Sequence, residues 1–280
     1  MKVGLIMTVA VPHSMQEEAW TFAKRNSRPD TPFIVLFNGI PAMEVPEGVE
    51  RIFRRDPFTD EADLWQWGLE LAQERGWDWC MFIHDDFKIV EPGWEDELEA
   101  SAGWRVALAS WLGYMDWDIG ANTSRSTPHR LAVGLDSMAF GFNVHVFKRR
   151  GTVCATRFGF GYGAWDAQAW ALSQGYAIWR IMLNSDHQWR QDNTRTKLAR
   201  GADGHPWFKD NWQSVLPSHV IDERHISVAG DLVKIAPHAD TPVPPKVDNR
   251  RYLSNALNYM SKLVVDTETG ESAKVDAVEE

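Results

Sequence analysis

The chain is poor in cysteine: only Cys80 and Cys154 occur in 280 residues, each inside an apolar stretch. That excludes a disulfide framework and fits two buried thiols in a reducing compartment. Long apolar runs are also missing. No stretch reaches the roughly 18 residues that a membrane-spanning helix needs. The opening MKVGLIMTVAVPHS is no better as a leader, with Lys2 as its single basic residue, a short β-branched run and no small-x-small cleavage site. It reads as a first strand. Positive charge is the third shortage, because 29 Lys and Arg face 39 Asp and Glu for a net charge of −10. Broad, sequence-independent nucleic-acid binding needs clustered cations, so the balance argues against it. Local groups remain, at Arg149, Arg150 and Arg157 and at Arg190, Arg195, Lys197 and Arg200.

Against these shortages stand a hydrophobic content of 44% and 15 tryptophans. The first is enough for one large α/β domain with a real core. The second serves the core, or offers flat faces that stack on sugar rings or bases.

Apolar strands and amphipathic helices alternate along the first two thirds. Residues 2–9 (KVGLIMTV), 33–37 (FIVLF) and 78–84 (DWCMFIH) read as buried strands, with a short strand at 49–53. Residues 14–26 read as a helix with Ser14 as cap and Glu17 closing a capping box. Thr59 or Asp60 caps a second helix that runs to about Arg75, with Leu64, Trp67, Leu71 and Ala72 on one face and Gly76 at its end. A helix at 94–101, strand character at 105–112 and 131–148, a helix from Ala164 to Gln174 and a strand at 176–183 follow. The expected fold class is α/β, a single mostly parallel sheet flanked by helices. Ligands of such sheets bind outside the carboxyl ends of the strands.

Beyond residue 190 the alternation fades. Residues 191–265 read as an extension packed on the 1–190 domain, with a Pro-rich segment at 236–248 and an amphipathic helix at 250–264. Residues 266–280 read as a disordered acidic tail.

Three places carry chemistry. Asp85-Asp86 ends an apolar strand, where two carboxylates can hold a hard cation, although paired acids after a strand are often a solvated turn. Asp166 opens a helix just after the glycine- and aromatic-rich GFGYG. A carboxylate there stabilises the helix by itself, or acts as a general base. His187 follows a strand and is either an ordinary histidine or a metal ligand.

Taken in order, these features resemble the GT-A glycosyltransferases, in particular their family-two-like group, over roughly residues 3–190. FIHDDF resembles the metal-binding DxD motif, with His84 standing where the first acid would be. The resemblance implies a GT-A-type, Rossmann-like sheet and a divalent metal, Mn2+ or Mg2+, on Asp86, His187 and Asp85. FGFGYGAWDAQAWALSQGY resembles the acceptor loop and catalytic acid, which makes Asp166 the base of an inverting transfer and Gly161, Tyr162, Gly163 and Trp165 the acceptor contacts. Thr8, Val9, Ala10 and Pro12 would hold the nucleotide together with Asp56, Asp60 and Asp85.

The implied partners are a nucleoside-diphosphate sugar, UDP-linked by the resemblance, and a hydroxyl-bearing acceptor. That acceptor is a glycan, a protein, a small molecule or a modified DNA base. The expected location is the cytoplasm, or a host cytoplasm if the chain is virus-encoded. Three rivals compete. A non-catalytic carbohydrate- or nucleotide-binding protein on the same fold would suit the tryptophans. An HD-type metal phosphohydrolase needs helices and further upstream histidines, whereas His84-Asp85 ends a strand and His13 is the sole earlier histidine. A nucleotidyltransferase would carry a glycine-rich basic loop after its first strand, and TVAVPHS has neither feature.

Overall fold

The structure, a computed structural model, describes residues 1–58, 60–101, 105–114, 131–132, 134–135, 137–154, 162–174, 176–187, 263–265 and 272–274. Four parallel strands come first: β1 (Val3–Val9), β2 (Phe33–Asn38), β3 (Glu50–Arg54) and β4 (Trp79–His84). Between them lie α1 (Gln16–Arg25) and α2 (Glu61–Arg75). A short β5 (Phe87–Ile89) and α3 (Trp94–Ala100) follow. Next come β6 (Val106–Ser110), β7 (Gly113–Tyr114), β8 (Leu131–Ala132), β9 (Gly134–Leu135), β10 (Ala139–Asn143) and α4 (Val144–Arg150). The series continues with α5 (Tyr162–Ser173), β11 (Ala177–Arg180) and β12 (Ser185–His187).

The central sheet has eight strands in the order β3-β2-β1-β4-β10-β6-β11-β8. Strand β10 runs antiparallel to both neighbours, β11 pairs parallel with β6, and β8 closes the edge antiparallel. Every residue of β2 is buried, as expected for a strand covered on both faces. The edge strand β3 is instead charged and largely exposed (ERIFR), which discourages edge-to-edge pairing. This is the α/β, mostly parallel sheet flanked by helices that the sequence leads one to expect.

Alternation along the strands builds two cores. Ile6, Phe82, Phe140 and Phe142 pack beneath α2, α4 and α5, with Trp65 stacked on Phe140 at 4.5 Å between ring centroids. Leu5, Met7, Val9 and Ile83 pack on the other face with Trp20 of α1 and Trp94 of α3. Trp77, Trp79, Trp111 and Trp179 are buried too, so these tryptophans serve the core.

Several expectations are corrected. Helix α1 has no side-chain cap: it begins at Gln16 after Met15, and Gln16 Oε1 accepts from the His13 N–H at 3.2 Å. Strand character ends at Asn143, whose side chain accepts from the N–H groups of His145 and Val146 and so starts α4. Helix α5 starts at Tyr162, so Tyr162 and Gly163 belong to its first turn, not to a preceding loop. Leu263–Val265 pairs antiparallel with Ser272–Lys274, so Leu263 and Val264 are not part of the helix expected at 250–264; the rest of that helix and most of the tail expected from 266 lie outside the described residues. The Pro-rich segment and the rest of 188–262 lie outside the described residues. As expected, Asp60 caps α2 and Gly76 ends it with a φ of 67°.

Candidate functional site

The parallel strands bring their carboxyl ends to one edge, where Thr8 sits in register between Leu36 and His84. Strand β4 ends at His84. Asp85 and Asp86 form the two-residue turn into β5. Strand β12 pairs antiparallel with β5 and sets His187 opposite Phe87, one residue from Asp86. This small two-stranded sheet is held from behind. Buried Lys88 pairs with Glu18 at 2.7 Å and Asp186 at 3.7 Å, and Asn26 at the end of α1 donates to the Ile89 carbonyl at 2.6 Å.

The result is a cluster of donors. One side-chain donor atom each from His84, Asp86 and His187 lies within 4.8 Å of the others. His187 Nε2 is 3.4 Å from Asp86 Oδ1. Asp86 is 6% exposed, so its carboxylate sits in a medium where an opposing charge is strongly felt. Two imidazoles and a carboxylate form a competent donor set for a divalent cation.

Asp85 is 2% exposed and faces a different partner, His13 Nε2 at 3.1 Å from its Oδ2. The backbone N–H of Met15 donates to His13 Nδ1 at 3.2 Å. With Nδ1 so engaged, Nε2 is the ring nitrogen that faces the Asp85 carboxylate. The loop after β1 is thereby tied to the turn after β4.

The other expected site residues are distributed as follows. Val9 is fully buried and its side chain belongs to the core. Thr8 and Ala10 are half-buried and Pro12 is exposed. Asp60 is buried and accepts from the Ala62 N–H at 2.7 Å. Exposed Asp56 lines a shallow cavity of about 380 Å³ with Arg54, Phe58, Asp63, Gln66 and Trp67. Gly161 lies outside the described residues. Tyr162, Gly163 and Trp165 are placed by backbone on α5.

Asp166 is fully buried, and Arg150 of α4 donates to its Oδ2 at 2.8 Å. Arg150 also donates to the Val153 carbonyl at 2.7 Å and lies 4.8 Å from the Trp170 ring. The pair therefore ties α5 to the end of α4. Burial pushes the nearby Cys154 thiol well up, with the Asp166 carboxylate adding to the effect, so that thiol is no nucleophile.

Sequence reasoning treated His84 as a departure from a motif and His13 as a loop residue. The signal for His84 was present: an imidazole directly before two acids at a strand end is itself a candidate donor. His13 carried no local signal, because its partner is 72 residues away.

The chain is thus an α/β protein with a mostly parallel sheet and a His–Asp–His cluster at the carboxyl edge of that sheet. No known family profile and no curated protein sequence matches it. Among solved structures it is similar to A197 from STIV, with 8% identity and a TM-score of 0.41 over 68% of this chain and 87% of that one. It is also similar to S. aureus TarS 1-349, with 9% identity and a TM-score of 0.43 over 65% of this chain and 58% of that one. The same TarS segment in complex with UDP gives 10% identity and a TM-score of 0.41 over 64% and 57%. At these scores the likeness is one of outline and decides nothing about chemistry. No helix among the described residues is long and apolar enough to cross a membrane.

Proposed function

We propose that the chain is a metal-dependent glycosyltransferase acting on a nucleoside-diphosphate sugar, UDP-linked in the first instance, with Mn2+ or Mg2+ as the ions implied by the family resemblance. The observation that carries the reading is the clustering of His84, Asp86 and His187 at the sheet edge where such folds bind ligands. His84, Asp86 and His187 would hold a divalent cation there, which would supply charge neutralisation for a departing diphosphate. Thr8, one strand over from His84, faces the same edge, and Ala10 and Pro12 continue the loop that would border the nucleotide. Asp56 and Asp60 lie past the third strand, where the base or ribose would reach. The acceptor, a glycan, protein, small molecule or modified DNA base, would approach from the start of α5, near Gly161 to Trp165.

Asp166 is the base that the resemblance implies for an inverting transfer. Removing a proton from an acceptor hydroxyl requires the Arg150 pair to open, because a base must come within hydrogen-bond reach of that proton. The burial of Asp166 favours a second reading, a non-catalytic carbohydrate- or nucleotide-binding protein on the same fold. The two separate in one experiment. The purified chain is incubated with a panel of nucleotide sugars and manganese, without acceptor, and free nucleotide is measured. Release from one donor, abolished by chelator and by Asp86→Ala, supports the transferase. Donor binding without release of nucleotide supports the binding protein.

A further inference from the structure

The edge of the sheet carries more nitrogen than a site for a hard cation needs. Mg2+ and Ca2+ take oxygen ligands, whereas imidazole suits the later first-row ions. Here two of the three clustered donors are imidazoles, and the second carboxylate of the turn is turned away toward His13. Resting on the reading of this cluster as a cation site, we infer that His84, Asp86 and His187 bind a borderline transition ion in preference to Mg2+ or Ca2+, and that Asp85 positions the His13 loop instead of ligating.

Donor spacing supports the first half. Two donors each about 2.1 Å from one ion, at adjacent coordination positions, are about 3.0–3.4 Å apart. His187 Nε2 and Asp86 Oδ1 are already separated by 3.4 Å. His84 is the last residue of β4 and its N–H donates to the Met138 carbonyl at 2.9 Å, so its backbone is fixed by the sheet and not by a loose turn.

Tautomer chemistry supports the second half. His13 ligates through Nε2 only if the proton moves to Nδ1, and Nδ1 already accepts from the Met15 N–H at 3.2 Å. His13 therefore stands beside Asp85, its Nε2 3.1 Å from Oδ2, and neither residue belongs to the donor cluster. The Asp85 carboxylate, 3% exposed, is engaged in fixing the loop that follows β1. The adjacent acids of the turn have divided their tasks: Asp86 faces the cluster and Asp85 the loop.

The test uses the full chain, stripped with chelator and titrated calorimetrically with Mn2+, Co2+, Zn2+, Mg2+ and Ca2+ in the absence of nucleotide. Co2+ and Zn2+ are expected to bind at least about 100-fold more tightly than Mg2+, as the nitrogen-rich set requires. Asp86→Asn and His84→Ala are expected to weaken Co2+ binding at least about tenfold, while Asp85→Asn stays within about threefold of wild type. Pulsed electron paramagnetic resonance of Mn2+ bound to the wild-type chain, which needs no variant to fold, is expected to show nitrogen couplings from two imidazoles. Mg2+ binding as tightly as Co2+, an absence of those couplings, or equal losses from Asp85→Asn and Asp86→Asn would overturn the inference. Failure of every ion to bind overturns it together with the cation centre. The expected selectivity without nucleotide release from any donor leaves it standing and removes the transferase reading alone.

Discussion

His13 Nε2 lies 3.1 Å from Asp85 Oδ2, with both side chains largely buried at 12% and 3% exposure. This contact joins the loop after the first strand to the turn after the fourth. Deleting one partner takes a close polar neighbour from a buried carboxylate, which costs on the order of 1 kcal/mol. His13→Ala and Asp85→Asn are each expected to lower the urea midpoint. The double variant is expected to lose less than the sum of the two, which a double-mutant cycle measures directly. Additive losses would show that the pair is not coupled.

The Arg150–Asp166 pair makes a second prediction. Its side chains are 9% and 0% exposed, so Arg150→Met leaves an uncompensated buried charge at a cost of about 3–5 kcal/mol. Asp166→Asn is expected to destabilise as well, by leaving the guanidinium without its counter-charge. Thermal melts read both. An Asp166→Asn chain that melts with the wild type but no longer turns over its donor would instead return the carboxylate to the role of base.

Two glutamates on α3 titrate in opposite senses. Burial raises the pKa of Glu95 above its ordinary 4.5, although the Arg28 N–H and Thr31 hydroxyl both donate to it. A raised folded value means that the Glu95 contribution is fully present below the ordinary pKa and is lost as the pH rises through the folded one. Glu99 is held down at about 2 by its side-chain bonds with Arg28, so its contribution is present above 4.5 and is lost as the pH falls toward that value. Glu95→Gln is therefore expected to match wild type in acid and gain on it toward neutral pH. Glu99→Gln is expected to flatten only the acid limb. Urea midpoints measured from about pH 3 to 8 check both signs.

Gly4 sits under the indole of Trp77, which occupies the place of a Cβ. Gly4→Ala is expected to displace that ring and destabilise by about 1–3 kcal/mol or more, as overpacking in a tight core does. A melt indistinguishable from wild type would contradict the packing described for this face.

The strands were legible because burial on both faces leaves them as near-continuous apolar runs, as in FIVLF and CMFIH. Helix α2 was legible from its ends, Asp60 and Gly76. Helix α4 was not: VHVFKRR follows an apolar strand without a break, and only the bonds of the Asn143 side chain mark the change. The α1 cap failed for a similar reason, since Ser14-x-x-Glu17 fits the capping pattern while the chain bonds His13 to Gln16. At the site, Asp86 and His187 were found because each follows a strand. The partners of Asp85 and Asp166 come from other elements, 72 and 16 residues away, and no local pattern announces them.

In the proposed function, the His84, Asp86 and His187 cluster holds the cation that in turn holds a nucleoside diphosphate. Calorimetric titration of UDP into the chelator-stripped chain, with and without added Mn2+, tests it most directly. Mn2+ is expected to tighten UDP binding at least about tenfold, or roughly 1.4 kcal/mol, and Asp86→Ala to remove the gain. UDP affinity that is the same with and without the ion, or a gain that survives Asp86→Ala, would contradict it.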